Sequence, residues 1–568
     1  MSRRAWILFE TFSCLAIGAA AFVFCWECGR RGFFPLDQSI VYDGAWRVAL
    51  GQRPFRDFVA PIGPMSFFYQ AFLFTLFGPG FRAYLIGGAL LNAMASMMVF
   101  ALLRTVASTK GIGRVSGYSA AMGAACVTAV WFQAQMGTTY PDQVAMFLCL
   151  ASLLLAMLGT GSDNVSENKR KWLFAAAGLA WGLAFASKQN YAAFFAPVLA
   201  LALFVETGKK RWWRAAAWTA LGTAVFALSS LIWLLAVSDI RLFVKYFFAI
   251  PISEGLRRLS GGGSTGAARF HVLWSVAIPL SAVCAATSWK LVGIWNDNDG
   301  LRQRFLKEAD TALLTLALAV YGTAMAVTTN NNPENAWSLL GLTLGFGFVT
   351  IFGRSRTETP DSLGHTDADG ERRGEPTPPS KRRSVVAVAA VCAVSAAAVC
   401  AGTVSAWERR AQDLLPPLSF HALGFPPSIS SLLWCDRTPV GAVDGQWVVL
   451  PGRDVKTVCR IMASYQGNVF VFSDFTALYG FTGKIPPQPL LWFHDGLTYP
   501  RGGDPELDEW IVSELEKNKV GMIVFEEVSW FGTYITLGKF PKLRRYLDDK
   551  FRVAARLGIY QIKLRKKQ

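Results

Sequence analysis

The sequence has few charged residues for its length. Asp, Glu, Lys and Arg make up 17% of the 568 residues, whereas soluble domains carry about 25%. Hydrophobic residues account for 52% and include 42 Phe and 20 Trp, as is typical of chains with much lipid-facing and interfacial surface. The composition therefore excludes a disordered chain, a small disulfide-stapled protein and an ordinary soluble enzyme.

Metal and nucleotide motifs are also missing. The four His residues show no HExxH or other ligand spacing, which argues against a His-based metal site. There is no Walker-type loop or nucleotide fingerprint, which argues against ATP-driven and soluble nucleotide-sugar mechanisms. Cys435 and Cys459 lie in the more polar C-terminal part, where an oxidising compartment would allow a disulfide between them.

The positive charge follows a regular distribution. The 56 Lys and Arg exceed the 39 Asp and Glu by 17, and such a surplus often indicates nucleic-acid binding. Here the basic residues recur in every second connection between apolar runs, first at Arg3 and Arg4 and next at Arg104, Lys110 and Arg114. Cytosolic loops of membrane proteins carry this bias. We therefore predict no nucleic-acid partner, a surrounding lipid bilayer and a cytosolic N-terminus.

Eleven apolar runs approach the roughly 20 residues that a membrane-spanning helix needs. They occupy residues 5–26, 82–103, 115–132, 143–158, 172–187, 191–205, 212–237, 270–294, 311–327, 337–352 and 385–404. Lys188, Gln189 and Asn190 divide the fifth run from the sixth. Two short spans that meet near a polar surface explain this segment better than one overlong helix with a lysine in mid-membrane.

These runs predict an all-α polytopic membrane domain of about 11 transmembrane helices over residues 1–404. Its long outer loops are 27–81 and 238–269, and its polar cytosolic loop 354–383 is predicted to be disordered. Residues 405–568 predict a small extracytoplasmic α/β domain. Its expected elements are buried strands at 468–473 and 520–526 and an amphipathic helix at 505–517 that follows Asp504.

The outer loops carry the residues that are suited to chemistry. Asp37 follows a membrane exit and a proline, and Asp142 lies in the short outer loop 137–142. A carboxylate at the membrane surface can accept a proton from a hydroxyl group, and two such acids can share a divalent cation or divide base and orienting roles. Lys188, Arg257 and Arg258 supply positive charge for a phosphate leaving group.

Each of these residues also has a purely structural explanation. Asp37 and Asp142 both stand at expected helix starts, where a carboxylate stabilises the first turn. Lys188 can extend from a short helix to the interface, and Arg257 with Arg258 can contact anionic headgroups. The first outer loop also contains Asp43, Arg56 and Asp57. We expect these three residues to support the structure or the acceptor and assign them no role in the chemistry. Asp57 is expected to pair with a neighbouring arginine.

The same residues resemble the polytopic C-type (GT-C) glycosyltransferases that use polyprenyl-phosphate sugars, on the branch of the protein O-mannosyltransferases and lipid A aminoarabinose transferases. The bacterial members have an Asp in the first outer loop, matched by Asp37. A G-x-x-P-[YF]-R-D-F run and a G-P pair follow, matched by residues 51–58 and 63–64. Asp142 matches the second-loop Asp, and residues 187–189 match a T-K-[QP] turn. The resemblance covers most of the chain and implies a place in the bacterial cytoplasmic (inner) membrane.

The resemblance implies a division of roles. Asp37 would be the general base for an extracytoplasmic hydroxyl acceptor, which attacks the anomeric carbon of the donor with inversion. Lys188, with Arg257 or Arg258, would hold the lipid phosphate. Asp142 would orient Asp37, the acceptor or a divalent cation. The alternative function is a polytopic transporter or flippase for a lipid-linked or acidic solute, which needs polar residues deep within the spans.

Overall fold

A computed structural model describes residues 2–132, 136–160, 165–207, 212–259, 301–328, 338–352, 381–410, 420–424 and 427–567. The predicted span 270–294 lies outside these ranges. So do residues 260–269 of the predicted long outer loop 238–269 and residues 354–380 of the predicted cytosolic loop. The last residues of that loop, 381–383, belong to a helix, so the predicted disordered segment extends too far at its C-terminal end.

Most of the N-terminal part is helical. The elements are α1 (Arg3–Arg30), α2 (Asp37–Ala49), α3 (Met65–Phe77), α4 (Phe81–Thr109), α5 (Arg114–Trp131), α6 (Pro141–Thr160), α7 (Glu167–Phe185), α8 (Gln189–Thr207), α9 (Trp212–Val237), α10 (Ile240–Phe243), a π-helical turn (Val244–Ala249), α11 (Ile250–Leu259), α12 (Leu301–Thr328), α13 (Leu340–Phe352) and α14 (Lys381–Arg410). The predicted break between residues 187 and 191 is confirmed, because α7 ends at Phe185 and α8 begins at Gln189.

Four of the described helices are long and apolar enough to cross a membrane, namely α1, α4, α6 and α9. Shorter apolar helices lie at Met65–Phe77, Gln189–Val205, Thr311–Met325, Leu340–Thr350 and Val388–Val404. Within the described ranges, length and composition therefore identify fewer spans than the 11 predicted. In α7 the reason is visible in the sequence, because the helix begins with the charged segment 167–171, which lowers its average apolarity. The coarser prediction of an integral membrane protein is confirmed.

Helix α4 lies at the centre of the helical part. It packs against α1, α5 and α6, and most of its apolar side chains are buried. The Asn92 side chain donates hydrogen bonds to the carbonyl oxygens of Ala21 in α1 (2.9 Å) and Ala129 in α5 (2.8 Å). Amide side chains bind helices together in this way where water is scarce. In contrast, α1 and α9 expose most of their apolar surface, as helices at a lipid-facing edge do.

The C-terminal part contains sheets and short helices. Its strands are β1 (Phe420–Ala422), β2 (Leu433–Cys435), β3 (Thr438–Val443), β4 (Gln446–Leu450), β5 (Asn468–Phe472), β6 (Val520–Glu526), β7 (Phe551–Leu557) and β8 (Tyr560–Arg565). Its helices are α15 (Gly452–Ser464), α16 (Leu478–Thr482), α17 (Pro505–Lys517), α18 (Thr533–Gly538) and α19 (Pro541–Lys550). The main sheet has the order β5-β6-β8-β7, with β5 and β6 parallel.

The local predictions for this part are confirmed. Strands β5 and β6 occupy the two apolar runs, and α17 occupies the predicted amphipathic segment. The Asp504 carboxylate accepts a hydrogen bond from the Leu507 N–H (3.3 Å), and Pro505 stands in the first turn, as helix starts favour. A small α/β region is therefore present.

Helix α2 connects the two parts. The Trp46 indole N–H donates to the Lys484 carbonyl oxygen (2.8 Å), and the Arg47 guanidinium donates to the Gln488 carbonyl oxygen (2.7 Å). The Tyr42 ring packs edge-on against Phe481 at 5.0 Å. The C-terminal part thus lies on the first outer loop and fixes the orientation of α2.

The disulfide between Cys435 and Cys459 is not formed, and both residues are buried free thiols. Cys459 belongs to the apolar core beneath the main sheet, where burial raises the pKa of its thiol to about 12. A thiol in such surroundings is a small apolar packing group rather than a reactive one.

Candidate active site

Gln38, the neighbour of Asp37, joins the first outer loop to the second. Its side-chain amide donates to the Met136 carbonyl oxygen (2.8 Å) and to Thr138 Oγ1 (3.1 Å). The Tyr84 hydroxyl, from α4, lies 2.9 and 3.0 Å from the carbonyl oxygens of Gln38 and Thr139. These contacts fix the start of α2 against the loop that leads to Asp142. Sequence reasoning assigned no role to Gln38 or Tyr84.

Asp142 and Lys188 form an ion pair. Asp142 is in the first turn of α6 and is buried. One of its carboxylate oxygens contacts the Lys188 ammonium group, and the other accepts a hydrogen bond from the Tyr191 hydroxyl at 2.9 Å. The ammonium group also lies 5.2 Å from the centre of the Tyr191 ring, within cation–π range. Lys188 keeps part of its side chain accessible, so it can meet an anion at the surface.

A chain of hydroxyl groups fixes the turn between α7 and α8. The Ser187 hydroxyl donates to the Pro141 carbonyl oxygen (3.1 Å) and therefore accepts from the Ser66 hydroxyl (2.7 Å). The Gly63 N–H donates to the Ser187 carbonyl oxygen (3.0 Å). Residues next to Asp142 and Lys188 are thus bonded to each other and to the first outer loop.

Asp37 occupies the first position of α2 and is partly exposed. The N-cap position belongs to Leu36, which makes no side-chain capping bond. Asp37 is therefore not the capping residue, although its charge still suits the positive end of the helix. Its neighbour Gln38 is fully buried, so the backbone of Asp37 is held while its carboxylate stays within reach of solvent.

The support residues of the first outer loop have structural contacts. Asp43 and Arg47 form a fully buried ion pair at 3.0 Å, and burial raises the pKa of Asp43 to about 6 although Arg47 opposes the rise. Arg56 and Asp57 lie 3.9 Å apart at an exposed surface. The Asp57 carboxylate also accepts a hydrogen bond from the Arg53 N–H (2.7 Å).

Arg257 lies in a different place from Lys188. Its guanidinium binds both carboxylate oxygens of Glu254, at 2.8 and 2.7 Å, and Arg501 from the C-terminal part binds the same carboxylate at 3.1 Å. Hydrogen bonding to Glu254 raises the pKa of Arg257. Together with Lys245 these residues line a cavity of about 450 Å³ whose lining includes neither Asp142 nor Lys188. For Arg258 the structure describes a place in α11 and nothing of the side chain.

The contacts of the Asp142 carboxylate leave no oxygen free to bind a divalent cation. Both of its oxygens already have partners, and one partner is the Lys188 ammonium group, which repels a cation. Within the described ranges, no group of three His, Cys, Asp or Glu residues is placed to hold a metal ion. The chemistry of the site is therefore derived from its own side chains.

Sequence reasoning selected Asp37, Asp142 and Lys188 but missed the residues that position them. Tyr191 offered a weak signal, because it follows the Ser187–Lys188 turn within one helical turn. Glu254 offered another, since an isolated acid in an apolar stretch needs a partner when it is buried. Gln38, Ser66 and Tyr84 act through contacts that are distant in sequence, and no local pattern indicates them.

The chain is similar to known proteins in sequence family and in fold. Residues 60–233 match the family described as dolichyl-phosphate-mannose-protein mannosyltransferase, a range that contains Asp142 and Lys188 and begins after Asp37. A comparison with curated proteins finds no significant sequence match.

Three solved structures are similar to the chain. ArnT from Cupriavidus metallidurans, determined with bound undecaprenyl phosphate, has a TM-score of 0.52 and 16% identity over 100% of both chains. The arabinofuranosyltransferase AftD from Mycobacteria has a TM-score of 0.48 and 17% identity, and the match covers 100% of this chain and 40% of AftD. The apo oligosaccharyltransferase of Archaeoglobus fulgidus has a TM-score of 0.49 and 10% identity, and the match covers 98% of this chain and 74% of that protein. Of these three, the likeness to ArnT establishes a shared fold, and with the family match it confirms the predicted resemblance.

Proposed function

We propose that this membrane glycosyltransferase of the GT-C type transfers a sugar from a polyprenyl-phosphate carrier to a hydroxyl acceptor outside the cytoplasmic membrane. One observation carries the proposal. Gln38, next to Asp37, is hydrogen-bonded to Thr138 in the loop that leads to Asp142. Ser187, next to Lys188, is hydrogen-bonded to Pro141, next to Asp142. These contacts support one site for the proposed base, the buried acid and the cation, on the face of the protein that we propose is extracytoplasmic.

The transfer is a single displacement. The acceptor oxygen forms a bond to the anomeric carbon of the donor while the bond from that carbon to the phosphate oxygen breaks. Asp37 takes the acceptor proton, and polyprenyl phosphate leaves with the electron pair. Attack opposite the leaving group inverts the anomeric centre. A positioned carboxylate contributes about 10²- to 10⁴-fold to such a step.

Lys188 binds the lipid phosphate in this proposal, and Asp142 positions Lys188. The support is the ion pair itself, which fixes the ammonium group while leaving part of the lysine accessible. Arg257 and Arg258 are proposed as additional phosphate ligands, although the bond of Arg257 to Glu254 already offsets much of its charge. ArnT was determined with undecaprenyl phosphate, a carrier that reaches a site at the membrane surface by lateral diffusion.

The proposed organisation keeps the sequence prediction. Residues 1–404 form the catalytic membrane domain with about 11 spans, and residues 405–568 form the extracytoplasmic domain. Asp43, Arg56 and Asp57 support the first outer loop. The family match and the shared fold favour this function over a transporter.

The test uses the purified full-length chain with radiolabelled polyprenyl-phosphate sugars and a panel of hydroxyl acceptors. Asp37→Asn is expected to reduce transfer at least 100-fold while expression and membrane insertion stay unchanged. Asp57→Asn is the matched control, since it removes a charge from the same loop at an exposed position. An Asp37→Asn protein with normal transfer would disprove the assignment.

A further inference from the structure

Two tryptophans lie side by side on the surface of the C-terminal part. The rings of Trp447 and Trp530 stack at 5.4 Å with an angle of 27° between their planes. Their residues are 51% and 39% exposed. On β4 the alternation of the strand turns Val448 and Leu450 towards the core and leaves Trp447 outside. We call this pair the tryptophan platform.

The platform is held against the first outer loop. Trp530 contacts the Phe34 ring edge-on at 5.0 Å, and Phe34 shortly precedes Asp37 in the chain. Strand β3 approaches the Trp530 loop at Gly441, where an added Cβ would lie 2.6 Å from the Ser529 carbonyl oxygen. A close approach at this glycine brings the two indole rings together.

Polar groups lie beside the platform. A cavity of about 10 Å³ is lined by Phe34, Trp530, Asp474, Glu526 and Ser529, enough space for one hydroxyl group or one water molecule. All three polar residues are at least nine-tenths buried. The Ser529 hydroxyl has no hydrogen-bond partner among the described residues.

Burial raises the pKa of both acids of this cavity, and the charge of Glu526 raises that of Asp474 further. Glu526 accepts hydrogen bonds from the backbone N–H groups of Asp474 (2.8 Å) and Ser473 (3.2 Å). The Asp474 carboxyl oxygens, like the Ser529 hydroxyl, have no hydrogen-bond partner among the described residues. These groups can bond a sugar hydroxyl, which both donates and accepts hydrogen bonds.

A sugar ring matches this combination. Its C–H face packs on an indole ring, and its hydroxyl groups need polar partners at the edge. A bilayer contact would use the exposed rings but would give the buried Ser529 and Asp474 groups no partner. We propose that the tryptophan platform binds a sugar ring of a glycan acceptor and places its hydroxyl near Asp37. This inference rests on the proposed function and names the acceptor class.

The test measures glycan binding separately from transfer. Detergent-purified wild-type protein is applied to a printed array of bacterial cell-envelope oligosaccharides, and the glycans that bind are then titrated. Trp447→Ala is expected to weaken binding about 10-fold, and Trp447→Phe to keep most of it. Trp172→Ala is the matched control, because Trp172 is 76% exposed at the start of α7. Equal melting temperatures establish that the variants are folded.

Several results would overturn the inference. They are an array with no glycan bound by the wild type, equal binding by Trp447→Ala and Trp172→Ala, or, in bilayers that contain brominated lipid, less quenching of the tryptophan fluorescence in Trp447→Ala than in the wild type. The last result would assign the platform to the bilayer. If the wild type binds glycans but transfers no sugar to them, the proposed function fails while the binding site stands.

Discussion

At the residue scale, the ion pair of Asp142 and Lys188 combines a structural and a functional requirement. Lys188→Gln leaves the buried Asp142 carboxylate with the Tyr191 hydroxyl as its remaining hydrogen-bond partner among the described residues, and breaking a buried pair in this way costs roughly 3–5 kcal/mol. We expect a lower melting temperature and, in addition, an apparent KM for the donor that rises at least 10-fold, because the phosphate loses its cation.

The double variant Asp142→Asn/Lys188→Gln separates these two effects. It removes both charges and leaves an amide that can still accept from Tyr191, so the melting temperature is expected to recover while the donor KM stays high. Recovery of both quantities would mean that Lys188 does not contact the donor. Unchanged donor kinetics in Lys188→Gln would give the same conclusion.

Asp43 makes stability depend on pH. The pKa of its carboxyl group is raised from 3.8 to about 6 by burial, so between these values the folded protein holds a proton that the unfolded chain releases. The free energy of unfolding therefore falls as pH rises through this interval, by about 3 kcal/mol for this group. Above pH 6 the contribution is constant.

The check compares melting temperatures between pH 4 and 7. Asp43→Asn is expected to reduce the fall in melting temperature between pH 4 and 6 by the share of this group, whereas Asp57→Asn, at an exposed position of the same loop, is expected to keep the wild-type slope. Parallel curves for Asp43→Asn and wild type would show that Asp43 does not titrate in the folded protein.

At the element scale, the contact between the first outer loop and the α7–α8 turn depends on Gly63. A Cβ at this position would overlap the Ala186 carbonyl oxygen, which belongs to the backbone and cannot move aside freely. Gly63→Ala is therefore expected to push the loop away from Ser187 and to lower kcat/KM for transfer at least 10-fold.

Gly113→Ala is the matched control for this substitution. Gly113 precedes α5, and an added Cβ there meets no atom within 4 Å. The measurement is transfer activity together with the melting temperature. Equal kinetics in the two alanine variants would show that the close approach at Gly63 is not needed for the site.

Elements with a strong local signal could be predicted from the sequence. Helix α17 has an apolar stripe, an Asp cap and a proline in its first turn, and the strand β6 is a short apolar run, so each is determined within its own residues. The β3–β4 hairpin was missed although Asp444 and Gly445, with φ of 51° and 76°, are a favoured hairpin turn. The π-helical turn at Val244–Ala249 has no comparable signal.

The site could be predicted only as separate residues. Asp142 and Lys188 were recognisable as a surface acid and a cation next to apolar runs, but they are 46 positions apart, and their pairing depends on how α6 packs against α7 and α8. The contact of Gln38 with Thr138 spans 100 positions. Such contacts follow from tertiary packing, which periodicity does not encode.

At the scale of the whole molecule, the C-terminal part is coupled to the proposed chemistry through α2. Gln38 holds the N-terminal end of this helix against the second outer loop, and Trp46 and Arg47 bond its C-terminal end to the C-terminal part. A movement of the C-terminal part therefore changes the position of α2. This arrangement explains why the first outer loop is both the proposed acceptor side and the main contact between the two parts.

The proposed topology places this whole arrangement outside the cytoplasmic membrane, and labelling tests it. Lys517→Cys places a thiol on an exposed helix of the C-terminal part, and Lys169→Cys places one in the first turn of α7, which the predicted topology puts in the cytosol. Both are made after the exposed Cys392 and Cys400 are replaced by alanine. In intact cells a membrane-impermeant maleimide is expected to label Lys517→Cys at least 10-fold faster than Lys169→Cys, with equal labelling after lysis. The opposite order would place Asp37 and the C-terminal part on the cytosolic side, where an extracytoplasmic acceptor cannot reach them.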